Sequence, residues 1–487
     1  MRRLSPYASC LALMLLGAMP GSAALAGQSL EQVRYALFKD PAAPVEADLR
    51  LLAAKGDRAS KHLLGNVLAS DQSKVNEAVV FYKEAFDDGH GEIPALSSMA
   101  RLMDRNPRLR LENLDYVRGA VRRYPQERDV RNLATTLEVF VAYPEFFSPV
   151  DVARMITLYE RSCLLDCRGP FYRAVLAQRD GQVEQAKHLY EQAMMFDVRA
   201  VERYYNLLGE QRDPLFAAFA QTQVEKIDRM PVEIVHSIGA QLDGLSNTRA
   251  VGLRYPLAHS RAELRQLPQA EADVLKAADD ETKSQIENES KQLRGQAAIW
   301  IDKAVERGFV PAMVAKVNSM TAVPAEHSSD AAMALIERIE QSEPTRAKAL
   351  RVSVLLINTW PSLDPVKAHG LIEELIAARY PDGPMLLGDL YSHGGLDEPD
   401  QYKALDIYQG LAANGAPGAY YRIASVYASS RAICYDPVNA YAYARTAVEL
   451  GDNRARTLML ELERRLPRDT IAQGLLAHTH LLEEATP

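Results

Sequence analysis

The sequence has little of several things. Four cysteines and two tryptophans occur in 487 residues. So few thiols exclude a small disulfide-stapled scaffold. After Cys10 to Met19, no apolar run approaches the roughly 20 residues a spanning helix needs. Positive charge is also short: 56 Lys and Arg stand against 64 Asp and Glu, giving a net charge of −8. That balance argues against nucleic-acid binding, which relies on cations neutralising phosphates. Sustained alternation of apolar and polar residues is missing, so no β-sheet is expected. No phosphate-cradling glycine loop, dinucleotide fingerprint, HExxH pair or nucleophile elbow occurs. An enzyme is therefore not expected, and neither is a cofactor or a resident metal.

What is present begins at the N-terminus. Arg2 and Arg3 precede the apolar run Cys10 to Met19, Pro20-Gly21-Ser22 breaks it, and Ala24-Leu25-Ala26 fits a small-x-small cleavage site. This predicts a signal peptide over 1–26 and an exported chain. Leu25-Ala26-Gly27 would open a lipoprotein processing box if cysteine followed. Gln28 follows instead, so a lipid anchor is doubtful.

The C-terminal third carries an internal period. Asp364, Asp400 and Asp436 lie 36 residues apart, as do Ala368, Ala404 and Ala440. Tyr391 and Tyr427, Gly415 and Gly451, and Ala419 and Ala455 repeat the spacing. One period across several registers marks a stacked supersecondary unit. Helical spacing of apolar residues on either side of polar, glycine-containing turns makes that unit an α-hairpin. The alanines allow close helix approach, and tyrosines fill the wider gaps. The three aspartates are expected to cap helix N-termini. Tyr420, Tyr421, Tyr441 and Tyr443 are expected mainly in the core, with exposure on a concave face as the alternative.

The unit resembles the Sel-type repeat, a longer relative of the tetratricopeptide repeat. The resemblance rests on Leu387-Gly388, Tyr391, Gly394, Asp400, Lys403-Ala404, Tyr408, Ala412-Ala413, Gly415 and Ala419. The next copy keeps Tyr427, Asp436, Ala440, Ala447, Gly451 and Ala455. Weaker copies surround Leu64-Gly65 with Tyr82, Phe171-Tyr172 with Tyr190, and Trp300 with Ala304 and Gly308. The expected fold is all-α: a right-handed α-solenoid of Sel or tetratricopeptide-like helix-turn-helix repeats. Residues 27–210 are read as N-terminal repeats, 211–290 as an irregular helical region or linker, and 291–487 as C-terminal Sel-type repeats.

Three isolated features carry less. Cys163 and Cys167 are close enough in sequence for a disulfide, with a thiol pair as the alternative. His478 and His480 lack a third metal ligand and read as an exposed pair on a terminal helix. Asp87-Asp88 and Asp279-Asp280 read as solvated surface.

Val141 to Pro149 (VAYPEFFSP), Trp360 to Asp364, Leu386 to Tyr391, and Asp436 to Tyr441 with Leu466-Pro467 together resemble the AlgK family of alginate-export repeat proteins. That resemblance implies a periplasmic scaffold at the outer membrane. It would link a β-barrel export channel to polysaccharide-modifying proteins. The alternative is a Sel-type adaptor in another envelope process, such as cell-wall remodelling or export of a different polysaccharide.

Overall fold

The computed structural model describes residues 28–71, 74–87, 92–123, 130–163, 167–253, 269–322, 324–393, 400–413, 416–429, 435–450, 452 and 454–485. The leader, Gly394, Gly415, Cys434 and Gly451 lie outside them. Among the described residues every regular element is an α-helix or a short 3-10 turn, and there is no strand. None of these helices is long and apolar enough to cross a membrane.

The 36-residue period is written in the backbone. Helices of 13 residues begin at Pro365, Gln401 and Pro437. Asp364, Asp400 and Asp436 accept the N–H of Lys367, Lys403 and Asn439 at 2.9–3.0 Å. Each therefore satisfies an orphan helix donor. The N–H groups of Asp364, Asp400 and Asp436 bond back to Leu355, Tyr391 and Tyr427 carbonyls. The far ends repeat as well. Tyr380, Ala416 and Asp452 donate to Leu375, Leu411 and Ala447. That six-to-one bond closes a left-handed helix terminus. In the first unit the left-handed residue is Arg379, with φ 58°; the sequence has glycine 36 and 72 positions later.

Close packing explains the repeat consensus. Ala404, Ala419, Ala440 and Ala455 are fully buried. Gly388 lies against the Tyr408 ring, and a Cβ there would collide with it. The Tyr408 hydroxyl then donates to the next residue, Asp389, at 2.7 Å. Gly65, Tyr82 and Asn66 repeat the arrangement near the N-terminus: a Cβ on Gly65 would lie 2.6 Å from the ring, and the hydroxyl donates to Asn66 at 3.0 Å. Asp389 also accepts two bonds from Arg422 in Pro417–Ser429, two helices on, at 2.8 and 2.7 Å. At Asp389 the aromatic wedge and a charge-assisted bond together tie successive hairpins.

One buried apolar cluster runs from Val33 to Trp360, followed by smaller clusters in the C-terminal units. The core does not break at 211 or 290, where the sequence pattern changes. The end of the 211–290 region falls within a 38-residue helix, Gln269–Glu306, packed along Val232–Leu253. Buried Ser246 and Ser290 exchange hydroxyl-to-carbonyl bonds across that pair, at 2.9 and 3.1 Å. The path also returns on itself. Asp40, between the first two helices, accepts the backbone N–H of Thr345 at 3.2 Å.

His478 departs from the sequence expectation. It is buried, not exposed, with Nδ1 2.9 Å from Thr446 Oγ1 and Nε2 3.1 Å from Glu449. Its helix, Arg468–Ala485, packs against Pro437–Glu449 and turns that face inward. His480, two residues on, is exposed. Among the described residues no group of three metal-ligating side chains forms. Burial lowers the pKa of His478, and likewise of His62 and His236. Each therefore takes up a proton more readily when unfolded. Their contribution is present above the unfolded value, about 6.5, and is lost as pH falls through the folded values. The unfolding temperature should fall between pH 7 and pH 5.5, before carboxylates titrate. A flat profile across that window would contradict the burial of these rings.

Candidate partner-binding site

A cluster of buried charge lies in the N-terminal half, around Glu138 and Asp197. Helix Val130–Ala142 is apolar along most of its length, and Glu138 is its only acid. The helix places that carboxylate inward, 2% exposed. Three arginines from three other segments converge on it. Arg101 comes from Ile93–Arg105, Arg168 precedes Gly169–Arg179, and Arg199 opens Arg199–Leu207.

The geometry divides these arginines into two kinds. Arg199 is buried and committed. It donates to Glu138 at 2.8 and 3.1 Å and to Asp197 at 3.0 and 2.7 Å. Its guanidinium also lies 4.4 Å from the centre of the Phe171 ring. Arg101 and Arg168 reach Glu138 only at 3.4 Å, with side chains 46% and 40% exposed. Tyr172 donates its hydroxyl to Glu138 at 2.9 Å. Burial by itself would raise the Glu138 carboxyl; Arg199, Arg101 and the Tyr172 hydroxyl outweigh it and hold its pKa below the ordinary range. Asp197 is likewise lowered, its burial outweighed chiefly by Arg199. Tyr172 is pushed well up by burial and by the adjacent Glu138 charge.

Above this network opens a cavity of about 570 Å³. Arg101, Glu138, Arg168 and Asp197 form its charged side. Met195, Phe196, Val198, Pro231 and Ile234 are apolar residues of its lining, and Glu233 stands among them. Such a site can hold an anion against guanidinium donors while covering an adjacent apolar group. The sequence reading missed it. The available signal was a lone acid within an apolar helix, since a buried carboxylate needs partners.

The positions singled out from sequence fall elsewhere. Gly388, Ala404, Tyr408, Ala419, Ala440 and Ala455 are buried between helices, and Tyr391 and Tyr427 are half-buried. They form the repeat packing, not the cavity. Tyr420 and Tyr441 are buried, whereas Tyr421 and Tyr443 are partly exposed. Cys163 and Cys167 are half-buried, and their thiols share a hydrogen bond beside Tyr159. Burial, with that bond, pushes Cys167 up to about 11.

No family model matches the chain. The alginate biosynthesis protein AlgK of Azotobacter vinelandii is 35% identical over 105 residues, which is 21% of this chain and 22% of that protein. The match thus spans about a fifth of the relative's length. Among solved structures, one similar chain is a protective antigen of uropathogenic Escherichia coli with an SLR fold. It shows 15% identity and a TM-score of 0.26, covering 91% of this chain and 95% of that one. A Sel1 repeat protein from Oxalobacter formigenes shows 11% identity and a TM-score of 0.26, covering 84% and 89%. Over about a fifth of its length the chain is thus similar to an alginate biosynthesis protein, and its described residues form an all-helical stack whose C-terminal α-hairpins recur every 36 residues.

Proposed function

We propose that the protein is a periplasmic interaction scaffold for secretion of an alginate-like exopolysaccharide. It would join an outer-membrane β-barrel export channel to polysaccharide-modifying proteins. The observation that carries this reading is the 105-residue likeness to an alginate biosynthesis protein. A stack of helical hairpins supports it, because repeats of this kind build extended surfaces that contact partners. The chemistry of the charged cavity supports binding over catalysis: its buried acid is fully engaged by arginines and a tyrosine.

In vivo cross-linking of the tagged chain tests the reading. The expected product joins it to an outer-membrane β-barrel encoded beside polymer-modifying enzymes. Cross-links solely to cell-wall enzymes would replace this role with the more general adaptor role. The same setting is oxidising, so Cys163 and Cys167 are proposed to pair as a disulfide. Alkylation of the unreduced, unfolded protein should then leave both unlabelled. Labelling of both would refute the pairing.

A further inference from the structure

We propose that the cavity beside Arg101 and Arg168 binds the free C-terminal carboxylate of a partner polypeptide whose last side chain is apolar. This deepens the scaffold reading and rests on it only in assuming a protein partner.

The first argument is unspent donor capacity. Glu138 already accepts from Tyr172, Arg168 and, twice, Arg199. Asp197 is held by Arg199 through both oxygens. Each arginine carries five N–H donors. Arg168 donates one side-chain bond, at 3.4 Å, and Arg101 donates none to any described residue. Two partly exposed guanidiniums therefore flank one saturated carboxylate at the edge of a cavity. A second carboxylate placed there would take the remaining donors in the forked geometry arginine favours.

The second argument is the apolar lining. Met195, Phe196 and Val198 are 40%, 45% and 40% exposed along one turn between helices. Pro231 and Ile234 also line the cavity. Large apolar side chains grouped beside a charged pocket mark a binding surface. An apolar terminal side chain would cover them while its carboxylate reached the arginines.

The third argument is charge count. Glu233 lines the same cavity, and the chain as a whole is acidic. A single carboxylate can enter beside Arg101 and Arg168. A polyuronate, with a charge on every ring, would bring further carboxylates against Glu233. A volume of about 570 Å³ lies within the small-ligand range and suits the end of a chain.

The test uses the full exported chain and hexapeptides immobilised by their N-termini. They end in Leu, Phe or Val, as free acids and as matched amides. Some acids should bind about tenfold or more tightly than their amides, the scale of one charged hydrogen-bond pair. Arg101→Gln and Phe196→Ala should each lose that binding with unchanged helical circular dichroism. Both side chains are substantially exposed, so neither change should impair folding. Equal binding of acids and amides, or wild-type binding by both variants, would overturn the site. So would binding of mannuronate or guluronate oligomers with no peptide retained. Polymer export is a separate readout. If deletion abolishes export yet acids and amides bind alike, only this site fails.

Discussion

Glu138→Gln should destabilise the N-terminal half by about 3 kcal/mol, the lower end of the cost of breaking a buried ion pair. The substitution keeps the shape of the side chain and removes one negative charge from among three guanidiniums. Arg199 suffers most, being only 11% exposed and donating to Glu138 through both Nη atoms. Tyr172 keeps an acceptor but loses a charged one. Hydrogen exchange of amides in Val130–Ala142 and Arg199–Leu207 reads this locally. Rates there should rise about a hundredfold, with little change in the C-terminal hairpins. Similar rates in the two proteins would show that the network contributes nothing to the stack. The pH dependence has a definite sign. Because the Glu138 pKa is lowered in the folded state, its contribution is present above the unfolded value, about 4.3. It is lost as pH falls through the folded value. The variant should therefore lose less stability than the wild type on acidification over that range.

Gly388→Ala and Gly370→Ala should have opposite effects, although both place a methyl group in a helix of the same C-terminal array. At Gly388 the new Cβ would meet the Tyr408 ring. That ring is 1% exposed and tethered by its hydroxyl to Asp389, so it has nowhere to retreat. Overpacking of this kind costs about 1–3 kcal/mol. At Gly370 no atom lies within 4 Å of an added Cβ, and the position faces solvent. Alanine there should stabilise the helix by about 0.5–1 kcal/mol, through lower backbone entropy in the unfolded chain. Urea midpoints of the two variants should fall on either side of the wild type. Equal shifts would remove the steric account of the glycine–tyrosine pair. They would leave its recurrence at Gly65 and Tyr82 without a physical cause.

The repeat was legible because its constraints are local. A capping aspartate, a small residue at a helix crossing and a tyrosine opposite it each require a particular residue at a fixed spacing. Asp364, Asp400 and Asp436 therefore announced the hairpins before any contact was known. Arg379 shows the limit of that logic. It stands 36 residues before Gly415 and holds the left-handed conformation without being glycine. The candidate site was illegible for the opposite reason. Arg101, Glu138, Arg168 and Arg199 span about a hundred residues and follow no period. Only the stacking of four helical segments brings them together. His478 was misread because its burial depends on Thr446 and Glu449 in another helix, which nothing in its local sequence announces.

Secreted uronate tests the central claim most directly. A strain lacking this protein should release almost no polymeric uronic acid into the medium, and restoring the full chain should restore release. Undiminished secretion by the deletion strain would contradict the proposed role in polymer export.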